Sequence, residues 1–281
     1  MKLTRRRLSV AGTRPPAVEL HDIALAYRLC RNRSGSLQDH VFSLMRRQLS
    51  YEDLWALNGV SFSVQPGELV AVIGPNGAGK TTLLKVIARV LPPTRGRVVV
   101  RGMIAPMIEL GAGFNAELTG LENILLYGSI LGHDPAHLRR RAPAIAEYAN
   151  LTSFLDVPLR SYSSGMLGRL AFAIATEGEP EVLLVDEVLA VGDESFRHRS
   201  EERISQIIER GTAVLLVTHA LEMASALADR AIWVDSGRII EQGATDRVIA
   251  MYRAAAAAGI AAERSGSSSA MPAELVGLPH E

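Results

Sequence analysis

The sequence contains little that would suit an oxidising compartment or the interior of a membrane. One of its 281 residues is a cysteine, Cys30, so the chain cannot form an internal disulfide. No stretch reaches the roughly 18 uncharged apolar residues that a transmembrane helix requires. Polar residues also interrupt the start, MKLTRRRLSVAGTRPP, before it could act as a secretion signal. We therefore expect a cytosolic chain that reaches any membrane through a partner.

Charge and lysine are unevenly distributed. The chain has 30 basic and 30 acidic residues, yet residues 1–50 carry ten basic groups against three acidic ones, a net charge of +7. We predict a basic arm over residues 1–17, which would either lie against anionic lipid head groups or remain solvated and mobile. Lysine occurs only at Lys2, Lys80 and Lys85. In so arginine-rich a chain, the compact ammonium of a lysine points to a specific role.

Short β-branched apolar runs alternate with helix-forming stretches. Several runs are apolar on both faces, which suits a buried, largely parallel sheet in an α/β fold. The predicted strands are Leu69–Ile73, Val98–Val100, Val182–Val185, Ala213–Val217 and Ala231–Val234. Residues 31–56 show no strand pattern and predict a long, polar, basic connection.

Helix-forming segments interrupted by Gly and Pro predict a helical subdomain over about residues 103–179, inserted into the sheet domain. Within it, Asp134 followed by Pro135 predicts a helix start, because a capping residue precedes a favoured first-turn residue. From about Ala254 the chain is low in complexity, so we expect residues 254–281 to form a poorly ordered tail. Because chains below about 40 residues seldom fold alone, we expect no separately folded module in this tail.

Residues 74–81 read GPNGAGKT and fit the pattern G-x-x-x-x-G-K-T of a phosphate-binding loop. Gly74, Gly77 and Gly79 would let the backbone turn so that successive amides point at phosphate oxygens. Lys80 would place its charge between the outer phosphates, and the Thr81 hydroxyl would bind magnesium. An apolar strand precedes the motif and a helix-prone segment follows it, which is the context that the motif requires.

Polar residues follow two other apolar runs. The run EVLLVDE ends in Asp186 and Glu187, which delivers two carboxylates to the carboxyl edge of the sheet. Asp186 is suited to hold magnesium and Glu187 to accept a proton from an attacking water. His219 follows the run AVLLV, and we predict that it reaches the γ-phosphate, although a histidine in such a place is often structural.

The segments that accompany these motifs discriminate between classes of nucleotide-binding protein. A GTPase would need an Asn/Thr-Lys-x-Asp motif, and neither Lys2 nor Lys85 stands in one. The segment SYSSGMLGRLAFAIAT at 161–176 resembles the signature motif of ATP-binding cassette (ABC) proteins, with Ser163, Ser164 and Gly165 at a helix start that favours an anion. The resemblance covers roughly residues 18–253 and includes the family's motifs in their usual order.

The resemblance implies a P-loop NTPase fold of the ABC type. Such a fold has a mainly parallel sheet core, an N-terminal antiparallel β subdomain and an inserted helical subdomain. It implies that Tyr27 stacks on adenine, with Tyr51 or Trp55 as alternatives. Ser163 and Gly165 would contact the γ-phosphate bound by a second copy, and Asp193 would couple the two sites. The residues thus assigned to ATP are Tyr27, Gly74, Pro75, Asn76, Gly77, Ala78, Gly79, Lys80, Thr81, Thr82, Ser163, Ser164, Gly165 and Asp193.

Departures from the commonest ABC pattern narrow the resemblance. The signature reads YSSGM where many members have LSGGQ, and VLAVGD follows Glu187 instead of a segment that begins with proline. The glutamine that usually precedes the helical subdomain is missing, and Glu109 or Leu110 stands near its place. These features resemble the ATP-binding subunits of polysaccharide exporters. With the glutamine missing, Glu109 is our candidate for its part in sensing magnesium and water.

We therefore expect an ATP- and Mg²⁺-dependent motor on the cytoplasmic face of a bacterial inner membrane. It would act as a dimer of two copies with an integral membrane permease, and without nucleic acid. The exported substrate would be a lipid-linked polysaccharide such as O-antigen, capsule or teichoic acid. Two alternatives stay open: a motor for another substrate such as a lipid or drug, and a soluble ABC ATPase that does not transport.

Overall fold

A computed structural model describes residues 15–30, 51–108, 111, 113–178, 180–186 and 194–266, with only the backbone described for residues 29, 30, 51 and 259–266. The strands are β1 (Val18–Cys30), β2 (Tyr51–Val64), β3 (Leu69–Ile73), β4 (Arg95–Val100), β5 (Ile104–Met107), β6 (Val182–Asp186), β7 (Ala213–Val217), β8 (Arg230–Asp235) and β9 (Arg238–Ala244). They form two sheets. The smaller is antiparallel with the order β2-β1-β4, and the larger has the order β5-β6-β7-β3-β8-β9.

The larger sheet is the centre of the molecule. Strands β5, β6, β7, β3 and β8 run parallel, and β9 is antiparallel to β8. Every residue of β3 and of β7 is buried. These strands are apolar on both faces because both faces of the sheet are covered, as the sequence pattern predicts. The mainly parallel α/β core and the antiparallel N-terminal sheet confirm the predicted fold class.

The helices are α1 (Lys80–Ile87), α2 (Gly120–Ile130), α3 (Pro135–Tyr148), α4 (Ser164–Ala175), α5 (Glu194–Glu209), α6 (Leu221–Leu227) and α7 (Thr245–Gly266), with 3₁₀ turns at Thr152–Phe154 and Leu159–Ser161. Helices α2, α3 and α4 pack against one another. Their buried side chains share one apolar core with β5, β6 and β7. Among the described residues, none of the helices is both long and apolar enough to span a bilayer.

Two predicted helix starts are confirmed. The Asp134 side chain accepts a hydrogen bond from the His137 amide at 2.8 Å, and Pro135 is the first residue of α3. Ser163 likewise caps α4, because its Oγ accepts from the Met166 amide at 3.2 Å. Both caps satisfy a backbone donor that a helix start would otherwise leave unpaired.

The predicted start of the helical subdomain differs from the structure. Strand β5 falls inside the predicted helical subdomain, yet it belongs to the larger sheet, so the first helix of the insertion starts at Gly120. Pro106 interrupts the strand pattern in the sequence. It is tolerated because β5 is an edge strand, where one side of the backbone has no strand partner among the described residues.

The predicted polar connection and the predicted tail are each partly wrong. Residues 51–56 are not loop but the start of β2, which pairs with β1 as far as Cys30. Residues 254–266 are not irregular, because α7 continues through them to Gly266. Their low complexity comes from alanine, which has the highest intrinsic helix propensity. The remainder of each segment, 31–50 and 267–281, lies outside the described residues, as does most of the basic arm.

Candidate functional site

The order of the strands brings three sequence motifs to one edge of the larger sheet. Strands β6, β7 and β3 are neighbours, and all three run parallel. Asp186 ends β6 and lies opposite Val217, the last residue of β7. The loop at 74–79 follows β3, and His219 follows β7 by two residues. The carboxyl ends of the three strands therefore deliver the loop, the carboxylate and the imidazole to the same place.

These groups line one open cavity of about 400 Å³. Its wall consists of Ala56, Asn76, Gly77, Gly79, Lys80, Thr81, Thr82, Asp186 and His219. Eight of the predicted site residues thus meet in one space, with Ala56 of β2 as the addition that the motifs do not contain. A cavity with glycine backbone, an ammonium and hydroxyl groups on its wall suits a polyanion such as a nucleotide phosphate chain.

The loop needs glycine at two positions because backbone lies directly behind it. Gly74 has φ of 151°, and a Cβ there would lie 2.0 Å from the Val234 carbonyl oxygen. Gly79 has φ of 101°, and its Cβ would lie 2.4 Å from the Ala56 carbonyl oxygen. Neither carbonyl can rotate away as a side chain could. The loop therefore rests against the main chain of β8 and β2.

A hairpin turn holds the loop from behind. Ser236 and Gly237 form the two-residue connection between β8 and β9, both with positive φ. The Gly237 amide donates to the Ala78 carbonyl at 3.0 Å, and the Asn58 amide donates to the Gly237 carbonyl at 2.8 Å. The turn thus links the phosphate-binding loop to β2. The sequence of the loop does not indicate these hydrogen bonds, because the turn lies about 160 residues further along the chain.

Lys80 is buried, with 6% of its surface exposed. Its Nζ donates to the carbonyl oxygens of Gly74 and Pro75, each at 2.9 Å. A buried ammonium is stable only when it is hydrogen-bonded, and the loop carbonyls supply part of that requirement. The lysine is therefore fixed at the mouth of the loop, at the amino end of α1, where the helix dipole adds positive potential.

Oxygen donors for a metal ion stand on the same wall. Thr81 and Asp186 both line the cavity, the first from the start of α1 and the second from the end of β6. Hydroxyl and carboxylate groups are hard oxygen ligands of the kind that Mg²⁺ prefers. Substrate phosphates and water usually complete the coordination shell of this ion. In the part of the chain that the structure describes, no group of three or more His, Cys, Asp and Glu could hold a metal without such help. The residues fit a magnesium ion that arrives with a nucleotide.

The remaining candidates are divided between the cavity and other places. His219 lies in a bend after β7, where the Thr218 hydroxyl accepts a hydrogen bond from the Ala220 amide at 3.0 Å. Tyr27 is 39% exposed and pairs with Leu54 on the β1–β2 ribbon, outside the cavity wall. Trp55, the described alternative, is 44% exposed. Only the backbone of Tyr51 is described.

The signature residues face outward at the start of α4. Ser163 and Ser164 are exposed, and Gly165 is half-buried. None of the three lines the cavity of this chain. The predicted Glu109, Glu187 and Asp193 lie outside the described residues.

Comparison with known proteins agrees with the architecture. A family model described as ABC transporter matches residues 57–190. The chain is 38% identical over 244 residues to the O-antigen export system ATP-binding protein RfbB of Klebsiella pneumoniae, covering 86% of this chain and 99% of that protein. It is 35% identical to the teichoic acids export ATP-binding protein TagH of Bacillus cereus, covering 84% of this chain and 42% of that protein.

Solved structures show the same fold. The ATP-binding subunit of an ABC transporter superposes with a TM-score of 0.67 at 25% identity, covering 84% of this chain and 93% of that one. A dimeric ATP-binding cassette in a post-hydrolysis state, bound to ADP and Pi, superposes with a TM-score of 0.66 at 22% identity, covering 81% and 98%. With a relative matched along nearly its whole length, the chain belongs to the ABC transporter family and is an ATPase of the ATP-binding cassette type.

Proposed function

We propose that this chain is the ATP-hydrolysing subunit of an ABC exporter that moves a lipid-linked cell-surface polysaccharide across the bacterial inner membrane. The observation that carries the proposal is the cavity in which the phosphate-binding loop, Asp186 and His219 meet. The polysaccharide substrate is supported by the names of relatives, O-antigen and teichoic acid export ATP-binding proteins. The YSSGM form of the signature supports the same branch of the family.

ATP binding is assigned first to the loop. The backbone N–H groups of residues 76–79 and of the start of α1 would surround the β- and γ-phosphates, and Lys80 would exchange part of its bonding from loop carbonyls to phosphate oxygens. Thr82, beside Thr81 in the first turn of α1, would donate to a phosphate from the same wall. Tyr27 would stack on the adenine from the β1–β2 ribbon, where half-exposed aromatic surface is available.

Hydrolysis is assigned to the carboxyl edge of β6. Thr81 and Asp186 would hold magnesium, which neutralises charge that develops on the phosphates, with Glu109 as a further candidate. Glu187, one residue beyond the end of β6, would accept the proton of the attacking water. His219, which lines the same cavity as the loop, would hydrogen-bond the γ-phosphate and so respond to its departure.

Two copies would complete each site. At this helix start Ser163 is exposed and Gly165 is half-buried, and neither lines its own chain's cavity. An exposed helix start of this kind favours an anion, and the γ-phosphate held by a second copy is the ligand that the family resemblance indicates. Asp193 would then couple the two sites across the dimer.

We assign the contact with the membrane partner to the helical region. Leu126 and Ile130 lie four residues apart on α2 and are 37% and 61% exposed, so one face of this helix carries apolar surface. We expect residues 118–131 to contact short cytoplasmic helices of a two-copy permease, which would keep this chain at the inner face of the membrane. Cross-links from residue 126 or 130 to a co-expressed permease support this contact, and cross-links confined to β9, at the far edge of the sheet, contradict it.

The substrate is tested by co-purification. The intact complex is extracted with its permease, and the lipids that it retains are identified by mass spectrometry. A bound glycolipid whose amount falls on ATP addition supports polysaccharide export. Retention of an ordinary lipid or a drug-like compound would assign the motor to another substrate, and an active ATPase without a permease would favour the non-transport alternative.

A further inference from the structure

The segment that enters the helical region is joined to the segment that leads to the signature. The Gly120 amide donates to the Val157 carbonyl at 3.2 Å, and the Leu121 amide donates to the Leu155 carbonyl at 3.0 Å. In the opposite direction, the Leu159 amide donates to the Leu118 carbonyl and the Arg160 amide to the Ala116 carbonyl, each at 2.9 Å. Residues 116–121 and 155–160 therefore form a short antiparallel ladder, which we call the entry ladder.

A buried side chain fixes the first segment of this ladder. Asn123 has no exposed surface. Its Oδ1 accepts from the Asn115 amide at 2.8 Å, and its Nδ2 lies 2.9–3.0 Å from the carbonyl oxygens of Asn115, Leu118 and Thr119. One amide group thus sets the course of residues 115–119. On the outside, Glu117 of the first segment forms an ion pair with Arg160 of the second.

Tyr162 connects the ladder to the signature serine, which is the next residue. Its ring is buried and packs edge-on against Phe154, with ring centroids 6.1 Å apart. Its hydroxyl donates to the Phe154 carbonyl at 2.5 Å. A Cβ on Gly120, the first residue of α2, would lie 2.5 Å from that hydroxyl, so the glycine leaves the space in which the hydroxyl sits. Burial and the charge of Asp156 raise the pKa of Tyr162, so the hydroxyl stays a donor at neutral pH.

We propose that Tyr162 is a positioning residue, which holds Ser163 at the orientation needed to meet the γ-phosphate of a second copy, with Asn123 and the entry ladder as its support. This rests on the proposed function of Ser163. The ladder begins a few residues after Glu109 and Leu110, which stand near the place of the family's missing glutamine. A displacement of residues 115–121 by a bound partner would therefore reach Ser163 through hydrogen-bonded backbone, without passing through the nucleotide cavity.

The first test compares two tyrosines that differ in place but not in chemistry. Tyr148 is half-buried in α3 and its hydroxyl donates to the Arg199 carbonyl at 3.1 Å, so Tyr148→Phe removes the same kind of bond as Tyr162→Phe. We measure dimerisation by sedimentation with Mg²⁺ and a non-hydrolysable ATP analogue, and binding of the analogue to dilute monomer. Tyr162→Phe should raise the analogue concentration for half-maximal dimerisation about two- to tenfold, the range for one lost neutral hydrogen bond. Monomer binding should not change.

The control separates positioning from general stability. Tyr148→Phe should lower the melting temperature about as much as Tyr162→Phe but leave dimerisation unchanged. Equal effects of the two variants on dimerisation overturn the role of Tyr162. If the unmodified protein does not dimerise with nucleotide, the shared-site function itself fails, and this inference fails with it.

A second pair of variants tests the contact between Tyr162 and α2. Gly120→Ala places a methyl group where the Tyr162 hydroxyl lies, so it should impair dimerisation by itself. In the Tyr162→Phe background the closest contact is gone, and the same methyl group should impair dimerisation less. Additive effects of the two substitutions would show that the hydroxyl and Gly120 act independently, which contradicts the proposed contact between Tyr162 and α2.

Discussion

At the scale of single residues, the phosphate-binding loop could be predicted from eight consecutive letters, but the groups behind it could not. Motif residues such as Lys80 and Thr81 act through local geometry, so their pattern carries the information. The carbonyl of Ala56 and the turn at Gly237 reach the loop from β2 and from the β8–β9 hairpin. Contacts of that kind depend on strand order, which no short motif contains.

Gly237→Ala should weaken ATP binding. Gly237 has φ of 73°, and an added Cβ would lie 2.7 Å from the Ala56 carbonyl oxygen, the same atom that closes on Gly79. We expect backbone strain of about 1–3 kcal/mol. Where this strain displaces the phosphate-binding loop, the dissociation constant for ATP rises by about tenfold for each 1.4 kcal/mol. Titration with a fluorescent ATP analogue measures the change.

Gly211→Ala is the matched control for that prediction. Its φ of 101° imposes similar backbone strain, but nothing lies within 4 Å of the added Cβ, and Gly211 lies before β7, away from the cavity. This variant should lose stability and bind ATP normally. Equal affinities for the two variants would mean that the hairpin turn does not support the loop.

At the scale of elements, burial decided which strands could be predicted. The runs at β3 and β7 were predicted with their observed bounds, because strands covered on both faces are continuously apolar. Strand β9, RIIEQGA, was missed because it alternates between exposed and half-buried positions and carries charged and polar residues. The two-residue turn before it, with glycine in second place, is the local signal that would have indicated a hairpin.

The start of α2 gives a prediction at this scale. Thr119 Oγ1 accepts from the Glu122 amide at 3.3 Å, and the Glu122 carboxylate accepts from the Thr119 amide at 2.8 Å, which makes a reciprocal cap. Thr119→Ala should destabilise the protein by about 1 kcal/mol. Chemical denaturation at pH 7 measures the loss of unfolding free energy.

The same cap predicts a dependence on pH. Hydrogen bonds from Thr119 lower the pKa of Glu122 below its ordinary value. The contribution of this carboxylate to stability is therefore complete above its unfolded pKa and is lost as the pH falls through its lower, folded pKa. Glu122→Gln should reduce the loss of stability between pH 6 and pH 3. An acid profile identical to that of the unmodified protein would contradict the cap.

At the scale of the whole molecule, the residues of the site could be predicted from the sequence better than their arrangement in space. The order of motifs along the chain predicted the cassette fold and a phosphate site at the sheet edge. It did not predict that residues 116–121 and 155–160 would pair as a ladder that ends three residues before Ser163. That arrangement arises from pairing between segments about 35–45 residues apart, which no local sequence pattern indicates.

Glu187→Gln should separate binding from turnover. The substitution keeps the shape and a hydrogen-bonding group but removes the proton acceptor, so phosphate release should fall by roughly 10² to 10⁴ while ATP still binds. Lys80→Ala should lose ATP affinity instead, because it removes the ammonium that is fixed at the mouth of the loop. Hydrolysis by Glu187→Gln at close to the rate of the unmodified protein would remove this residue from the role of base.

The central claim is that each ATP is held between two copies of this chain. The most direct test is sedimentation of Glu187→Gln with Mg²⁺ and ATP, with the bound nucleotide counted in each species and Lys80→Ala as the control that should remain monomeric. The account predicts a dimer that appears only with ATP and retains two ATP molecules. A Glu187→Gln monomer saturated with ATP, at concentrations where the chain is otherwise well folded, would contradict it.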